Sequence, residues 1–149
     1  MHNIKNLKPT NGRYKQGYID PRSCKKLFES ISHERIIYRS SYELKFITWL
    51  ENNDKVKSWG SECICIPYLY MDGTTHKYYP DYYVEMMDGT KILVEIKPYN
   101  QTQKPKNDNG WAWKEYTKNV CKWKAAKEFC EKNGLLFKIL TEKTINQLV

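Results

Sequence analysis

Three charged residues near the middle of the chain have types and spacing suited to chemistry on a phosphate. Asp81 follows a proline, and Glu95 and Lys97 lie within the apolar run KILVEIKP. Because side chains alternate across a β-strand, Glu95 and Lys97 would share one face, and the apolar residues between them would face a core. Whether Asp81 joins that polar face depends on the turn between the two strands.

The turn determines which residues of the two predicted strands lie opposite each other. A two-residue turn would mix the apolar and polar faces of the hairpin, which a register with one buried face does not tolerate. A three-residue loop at 87–89, with its glycine in the left-handed conformation, pairs Asp81 with Glu95 and keeps the apolar side chains together. We therefore predict a bulged hairpin in which both acids and Lys97 are neighbours on its polar face.

Two neighbouring ionised carboxylates repel each other, so a positive charge should lie between them. Lys97 and a divalent cation together would supply it. Oxygen ligands favour Mg²⁺, with Mn²⁺ as the alternative, held by Asp81, Glu95 and the backbone carbonyl of Ile96 together with several waters. In a simpler interpretation, Glu95 and Lys97 are solvated charges on a half-exposed strand edge.

The rest of the chain predicts the elements that would hold this hairpin. Ser40 followed by Glu43 is typical of a capping box at the start of a helix. In order, we predict a helix at 40–53, strands at 56–62 and 63–70, the hairpin, a helix at 114–133, a buried strand at 135–140 and a short helix at 141–148. This order predicts a mixed β-sheet flanked by helices, of the α/β or α+β class.

Size and composition favour one intracellular, nucleic-acid-binding domain. The 149 residues suffice for a single core, and 25 Lys and Arg against 17 Asp and Glu give a net charge of +8. A basic balance of this size favours polyanions as partners. Five cysteines without a C-x-x-C pair indicate neither a disulfide framework nor a zinc ribbon. The chain lacks a secretory signal and any apolar run of the roughly 18 residues that a membrane span needs.

The first 35 residues are polar and basic and show no sustained period. They predict an extended N-terminal arm at 1–35, ahead of the folded domain at 36–149. Such an arm would clamp a nucleic-acid backbone, contact a protein partner or lie along the surface of the domain.

The constellation resembles a known family of nucleases. Pro80-Asp81, followed across a hairpin by Glu95-Ile96-Lys97, resembles the signature of the PD-(D/E)xK superfamily, which has a restriction-endonuclease-like fold. The segments IIYRSSYELKFITWL, IPYLYMDGTTHKYYPDYYVEM and ILVEIKP are similar to the TnsA-like endonucleases. The stretch from Arg35 to Pro98 is similar above all to the head completion nucleases of large contractile-tailed phages.

This resemblance implies a Mg²⁺-dependent endonuclease that hydrolyses phosphodiester bonds of DNA. In that superfamily the acidic pair holds the metal ion and the lysine orients or activates the attacking water. An acid from an upstream helix often completes the site, which adds Glu43 to the catalytic and metal-binding residues; its alternative role is to cap the helix with Ser40. The implied setting is phage head completion and DNA packaging in the host cytoplasm or in the virion, with head and portal proteins as candidate partners.

Contacts with DNA are expected around this site. The basic residues that we assign to the DNA backbone are Arg39, Lys45, Lys91, Lys104, Lys106, Lys114 and Lys118. Trp111 and Trp113 would either stack on unpaired bases or anchor the second helix. The sequence contains no base-reading motif, which favours recognition of DNA ends or structures.

Two other functions remain compatible with the sequence. The first is a non-catalytic DNA-binding protein of the virion or of head completion, with a vestigial site. The second is a junction-resolving or repair nuclease of the same fold.

Overall fold

A computed structural model describes residues 16–28, 36–107 and 109–148, and these residues form eight β-strands and three α-helices. The elements are β1 (Gly17–Ile19), β2 (Ile36–Tyr38), α1 (Ser41–Asn52), β3 (Val56–Ser61), β4 (Ile66–Leu69), β5 (Thr75–Tyr78), β6 (Tyr82–Met86), β7 (Lys91–Ile96), α2 (Gly110–Asn133), β8 (Leu136–Leu140) and α3 (Glu142–Ile145). Short 3₁₀ helices occur at Pro21–Ser23 and Tyr99–Thr102.

The central sheet has four strands in the order β3-β6-β7-β8. β3, β6 and β7 are antiparallel neighbours, whereas β8 runs parallel to β7. A parallel neighbour requires a crossover connection, and α2 supplies it. β4 pairs with β5 and β1 with β2 in two smaller sheets. The predicted mixed sheet flanked by helices is confirmed.

The β6–β7 hairpin has the predicted register. Tyr82 pairs with Val94 and Val84 with Ile92, as the three-residue loop requires. The N–H of Gly89 donates to the carbonyl of Met86, and Gly89 has a φ of +90°, which glycine adopts without strain. This register brings Asp81, the residue before β6, to the end of β7 that carries Glu95.

Both faces of the sheet are covered, which corrects the expectation of one half-exposed polar face. On one face, Tyr82, Val84 and Val94 share a core with α1 residues that include Ile47 and Leu50. On the other face, Leu93 packs with Trp123 and Ala126 of α2 and with Ile66 and Tyr78 of the β4–β5 hairpin. Glu95 belongs to this second face and is only 6 % exposed.

The second helix and the last strand each differ from the prediction in one detail. α1 begins after the predicted N-cap Ser40, but α2 begins at Gly110, four residues earlier than expected, with Asn109 at its N-cap. β8 was expected to be buried; it is an edge strand bounded only by β7, and Leu136 is 50 % exposed. Among the helices of the described ranges, none is both long and apolar enough to cross a membrane.

The described part of the predicted arm packs onto the domain. β1 pairs with β2, and Ile19 is fully buried in the core. The backbone N–H groups of Lys25 and Lys26 donate to the buried carboxylate of Glu51, which also accepts from the indole N–H of Trp59. Residues 1–15 and 29–35 of the predicted arm lie outside the described residues, so its proposed role stays a prediction.

Candidate active site

Asp81 is fixed beside the end of β7 by backbone hydrogen bonds. Its Oδ2 accepts from the N–H of Ile96 at 2.8 Å, which is how Ile96 contributes to the site in this structure. Its carbonyl accepts from the N–H of Glu62 at 3.0 Å. These bonds hold the carboxylate of Asp81 next to the residues that flank Ile96, which are Glu95 and Lys97.

Glu95 and Lys97 form a partly buried ion pair on the same strand. The Lys97 Nζ lies 3.5 Å from Glu95 Oε2, and the two side chains are 21 % and 7 % exposed. Glu95 Oε1 is buried and has no hydrogen-bond partner. An unpartnered carboxylate oxygen at this depth costs free energy unless a cation or a water meets it.

Glu43 caps α1 and also lies near Asp81. Its Oε2 accepts from the N–H of Arg39 at 3.0 Å and from the Oγ of Ser40 at 3.2 Å. The Ser40 Oγ in turn accepts from the N–H of Glu43, which completes a reciprocal cap. Glu43 nevertheless raises the pKa of Asp81 through its charge, so the capping side chain lies within electrostatic range of Asp81, and its catalytic role stays a prediction.

Negative charge accumulates around Asp81. Burial, followed by the charges of Glu95 and Glu43, raises the pKa of Asp81 well above its ordinary value of 3.8. Burial also raises the pKa of Glu43, although its bonds to Arg39 and Ser40 oppose that shift. Asp81 is therefore close enough to both Glu95 and Glu43 for their charges to act on it.

Two buried tyrosines point unpaired hydroxyl groups into this region. The hydroxyls of Tyr78 and Tyr82 have no hydrogen-bond partner, like Glu95 Oε1. Burial and then the neighbouring charge of Glu95 raise the pKa of Tyr78, and burial followed by Glu43 and Asp81 raises that of Tyr82. Three of the five buried polar side-chain atoms without a partner in the described ranges thus lie beside these acids.

These donors fit a hard cation that keeps much of its water. In the described part of the chain, no three His, Cys, Asp or Glu side chains lie close enough together to form a complete ligand cluster. Mg²⁺ is commonly held by only one or two carboxylates and retains several waters, which could also bond to buried hydroxyls. Asp81 and Glu95 therefore fit such an ion as a pair, with Glu43 as the third acid nearby.

Sequence reasoning missed Glu62, a fourth acid at this site. Glu62 has a φ of +49°, an uncommon conformation for a residue with a side chain, and it forms an ion pair with Arg39. Arg39 also lies within electrostatic range of Glu43 and Asp81. Arg39 therefore offsets part of the charge of these acids, and its predicted contact with DNA stays a prediction. Only a three-dimensional structure could place Glu62 there.

Lys122 of α2 is a second residue that the sequence did not single out. Its Nζ lies 5.5 Å from the centre of the Tyr78 ring and 6.0 Å from that of Tyr68. Burial, and then the charge of Lys118, lower the pKa of Lys122, while Glu95 opposes this shift. Lys122 therefore brings a second ammonium group from α2 to the region of Glu95 and Lys97.

The other predicted DNA-binding residues lie in four separate places. Lys104 and Lys106 line one pocket, and Lys114 and Lys118 line another. The ammonium group of Lys45 in α1 donates to the side-chain oxygen of Asn146, the residue that follows α3. Lys91 is exposed at the start of β7, four residues or roughly 13 Å along the strand from Glu95, so it lies away from the acids.

We expect the stability of the metal-free protein to depend on pH through Asp81. Since the pKa of Asp81 is raised in the folded state, its contribution to stability is greatest below the ordinary value of 3.8 and falls as the pH rises towards the raised pKa. Replacing Asp81 with Asn removes this dependence. Thermal unfolding in EDTA from pH 5 to pH 8 should show a shallower decline for the variant, and parallel curves for both proteins would contradict the charge balance described here.

More than half of the chain matches a known family of endonucleases. Residues 53–142 match the model of the TnsA-like endonuclease N-terminal domain. This chain belongs to the TnsA-like endonuclease family. The matched segment includes Asp81, Glu95, Lys97 and Lys122, whereas Glu43 precedes it.

A curated relative extends the comparison beyond the matched domain. The chain is 36 % identical over 126 residues to the head completion nuclease of Enterobacteria phage T4, which covers 77 % of this chain and 84 % of the relative. The resemblance to TnsA-like endonucleases and to phage head completion nucleases is thereby confirmed, and a nuclease is the class of enzyme to which this chain belongs.

Proposed function

We propose that this protein is a Mg²⁺-dependent endonuclease that hydrolyses phosphodiester bonds of DNA, with Mn²⁺ as an alternative ion. The observation that carries the proposal is the position of Asp81 at the end of β7, where its carboxylate accepts from the N–H of Ile96 next to Glu95, together with Lys97 at 3.5 Å from Glu95. A divalent ion in such a site polarises the phosphate and lowers the pKa of a bound water. The surplus of acids and the unpaired oxygen of Glu95 support the choice of a cation.

Each residue of the site would have a role that follows from its chemistry. The carboxylates of Asp81 and Glu95 would hold the ion with the Ile96 carbonyl and waters, and Glu43 would act on the site as a third negative charge nearby or through one of those waters. The ammonium group of Lys97 orients the attacking water or stabilises charge on the phosphate. The hydroxyl groups of Tyr78 and Tyr82 would hold water in the first layer around these carboxylates.

We also propose a biological setting, which the similarity to a head completion nuclease supports. In this setting the protein would act during phage head completion and DNA packaging, in the host cytoplasm or in the virion. DNA is then its substrate, and head or portal proteins are its candidate partners. The net charge of +8 is consistent with a DNA substrate.

A plasmid assay tests the proposal directly. We expect supercoiled plasmid to be nicked or linearised with Mg²⁺ or Mn²⁺ and to stay intact in EDTA. Binding to DNA without cleavage under every metal condition would instead favour a non-catalytic head protein. Branched DNA, tested beside linear and nicked duplex, separates a junction-resolving enzyme, which would cut the branched substrate in preference to the others.

A further inference from the structure

A second pocket lies between α2 and the loop that follows β7. Its volume is about 400 Å³. The loop contributes side-chain amides together with Lys104 and Lys106, and α2 contributes Trp111, Tyr116 and Asn119. Aromatic rings, amides and ammonium groups are the side chains that stack on bases, bond to base edges and contact phosphates.

Asn119 is the strongest sign that this pocket holds a polar ligand. It is 5 % exposed, yet it lines the pocket, and its amide forms no hydrogen bond with any residue of the described ranges. Because the rest of the residue is buried, its amide oxygen and N–H groups can bond to water or to a ligand only through the small part of the side chain that lines the pocket. A ligand with paired donors and acceptors would satisfy it, as the edge of a nucleobase does.

Trp111 gives the pocket an aromatic wall that is open to solvent. Its side chain is 76 % exposed, the highest value among the exposed large hydrophobic residues of the described ranges. Trp113 is half-buried, and Lys104 lies over its ring at 5.6 Å, which attaches the loop to the helix. The sequence left two roles open for these tryptophans, anchoring and stacking on bases. Trp113 anchors the loop, whereas the exposed ring of Trp111 is available to stack on a base.

Both walls of the pocket belong to segments that also carry residues at or near the acidic site. The 3₁₀ helix Tyr99–Thr102 begins two residues after Lys97, so the loop wall continues directly from the strand that bears Glu95. Asn119 lies three residues before Lys122, and side chains at this spacing are neighbours on a helix. Lys122 in turn lies within electrostatic range of Glu95 and Lys97.

We propose that this pocket binds an unpaired nucleobase of the DNA substrate beside the phosphodiester bond at the acidic site. Trp111 stacks on the base, Asn119 bonds to its edge, and Lys104 and Lys106 contact the adjoining phosphates. The proposal rests on the proposed nuclease function and assigns it a substrate class: DNA with an unpaired nucleotide, such as a frayed or mismatched end. A fully paired base would not reach the pocket, since its edge is occupied by its partner.

Binding in EDTA tests the pocket without requiring cleavage. Fluorescence anisotropy would compare a fully paired duplex with one of the same length that ends in mismatched bases, so that the number of phosphates is constant. We expect the wild-type protein to prefer the mismatched duplex, and Trp111→Ala to reduce that preference about 10-fold, as the loss of one stacked base predicts. Asn119→Ala should act in the same direction, and Met87→Ala, which removes an exposed side chain from the hairpin loop, should have no effect.

The outcomes separate this proposal from the nuclease function. Equal binding of both duplexes by the wild-type protein, or an unchanged preference in Trp111→Ala, would overturn the pocket while leaving plasmid cleavage to decide the activity. If the protein prefers the mismatched duplex through Trp111 but cleaves no plasmid, the result would support the base-binding pocket and contradict the proposed nuclease activity. If Asn119→Ala fails to fold in a thermal melt, the exposed Trp111 alone decides, because its removal leaves the core intact.

Discussion

Replacing Glu95 with Gln is expected to lower Mg²⁺-dependent cleavage by at least about 10³-fold, because the carboxylate supplies a metal ligand that an amide replaces poorly. The folded structure should persist. Removal of the charge of Glu95 relieves the desolvation of a buried carboxylate and its repulsion of Asp81, and these gains offset the loss of the ion pair with Lys97. We expect an unchanged or higher melting temperature in EDTA, together with the loss of the stabilisation that Mn²⁺ gives to the wild-type protein.

Glu85→Gln is the matched control for this variant. Glu85 lies on the neighbouring strand β6 and pairs with Lys57 at 3.9 Å, away from the acid pair. It should cleave DNA and respond to Mn²⁺ as the wild-type protein does. Cleavage by Glu95→Gln at the rate of the control would remove Glu95 from the metal site.

Replacing Lys97 with Ala should separate catalysis from metal binding. The ammonium group lies beside Glu95 but carries no ligand for a cation, so the variant should keep its Mn²⁺-induced rise in melting temperature. Cleavage should fall by about 10³-fold, similar to the loss of other cationic groups that stabilise phosphoryl transfer. The expected result is therefore an inactive protein that still binds the ion.

Lys91→Ala provides the control on the same strand. Lys91 is exposed at the other end of β7, so removing its charge tests whether any lysine on this strand matters for cleavage. Equal losses for both variants would indicate that Lys97 acts only as general positive charge. A loss of Mn²⁺ binding in Lys97→Ala would show that the lysine maintains the acid pair instead of acting on the phosphate.

The hairpin was predictable because two local signals agree. The alternation of apolar residues determines which face of β6 and of β7 is buried. The loop glycine permits a register in which the two buried faces coincide, and this register predicts that Asp81 and Glu95 lie close together. The capping box was predictable for the same reason, because Ser40 and Glu43 are only three positions apart. Each of these features depends on residues within a few positions of one another or across a short loop.

The environment of the site was not predictable in the same way. The burial of Glu95 results from α2 crossing over the face that the strand pattern marks as polar, and no local signal reports that packing. Lys122 is one of six lysines in α2, and its position next to Tyr78 depends on how the helix is rotated against the sheet. Tyr78, Tyr82 and Glu62 reach the acids through contacts between elements that are distant in sequence.

The location of a bound Mn²⁺ ion tests the central claim most directly. Anomalous diffraction from crystals soaked in Mn²⁺ would locate the ion without reference to activity. We expect one ion between the carboxylates of Asp81 and Glu95, at an oxygen distance of about 2.1–2.2 Å. An ion bound elsewhere, or unoccupied carboxylates at millimolar Mn²⁺, would contradict the account of this site.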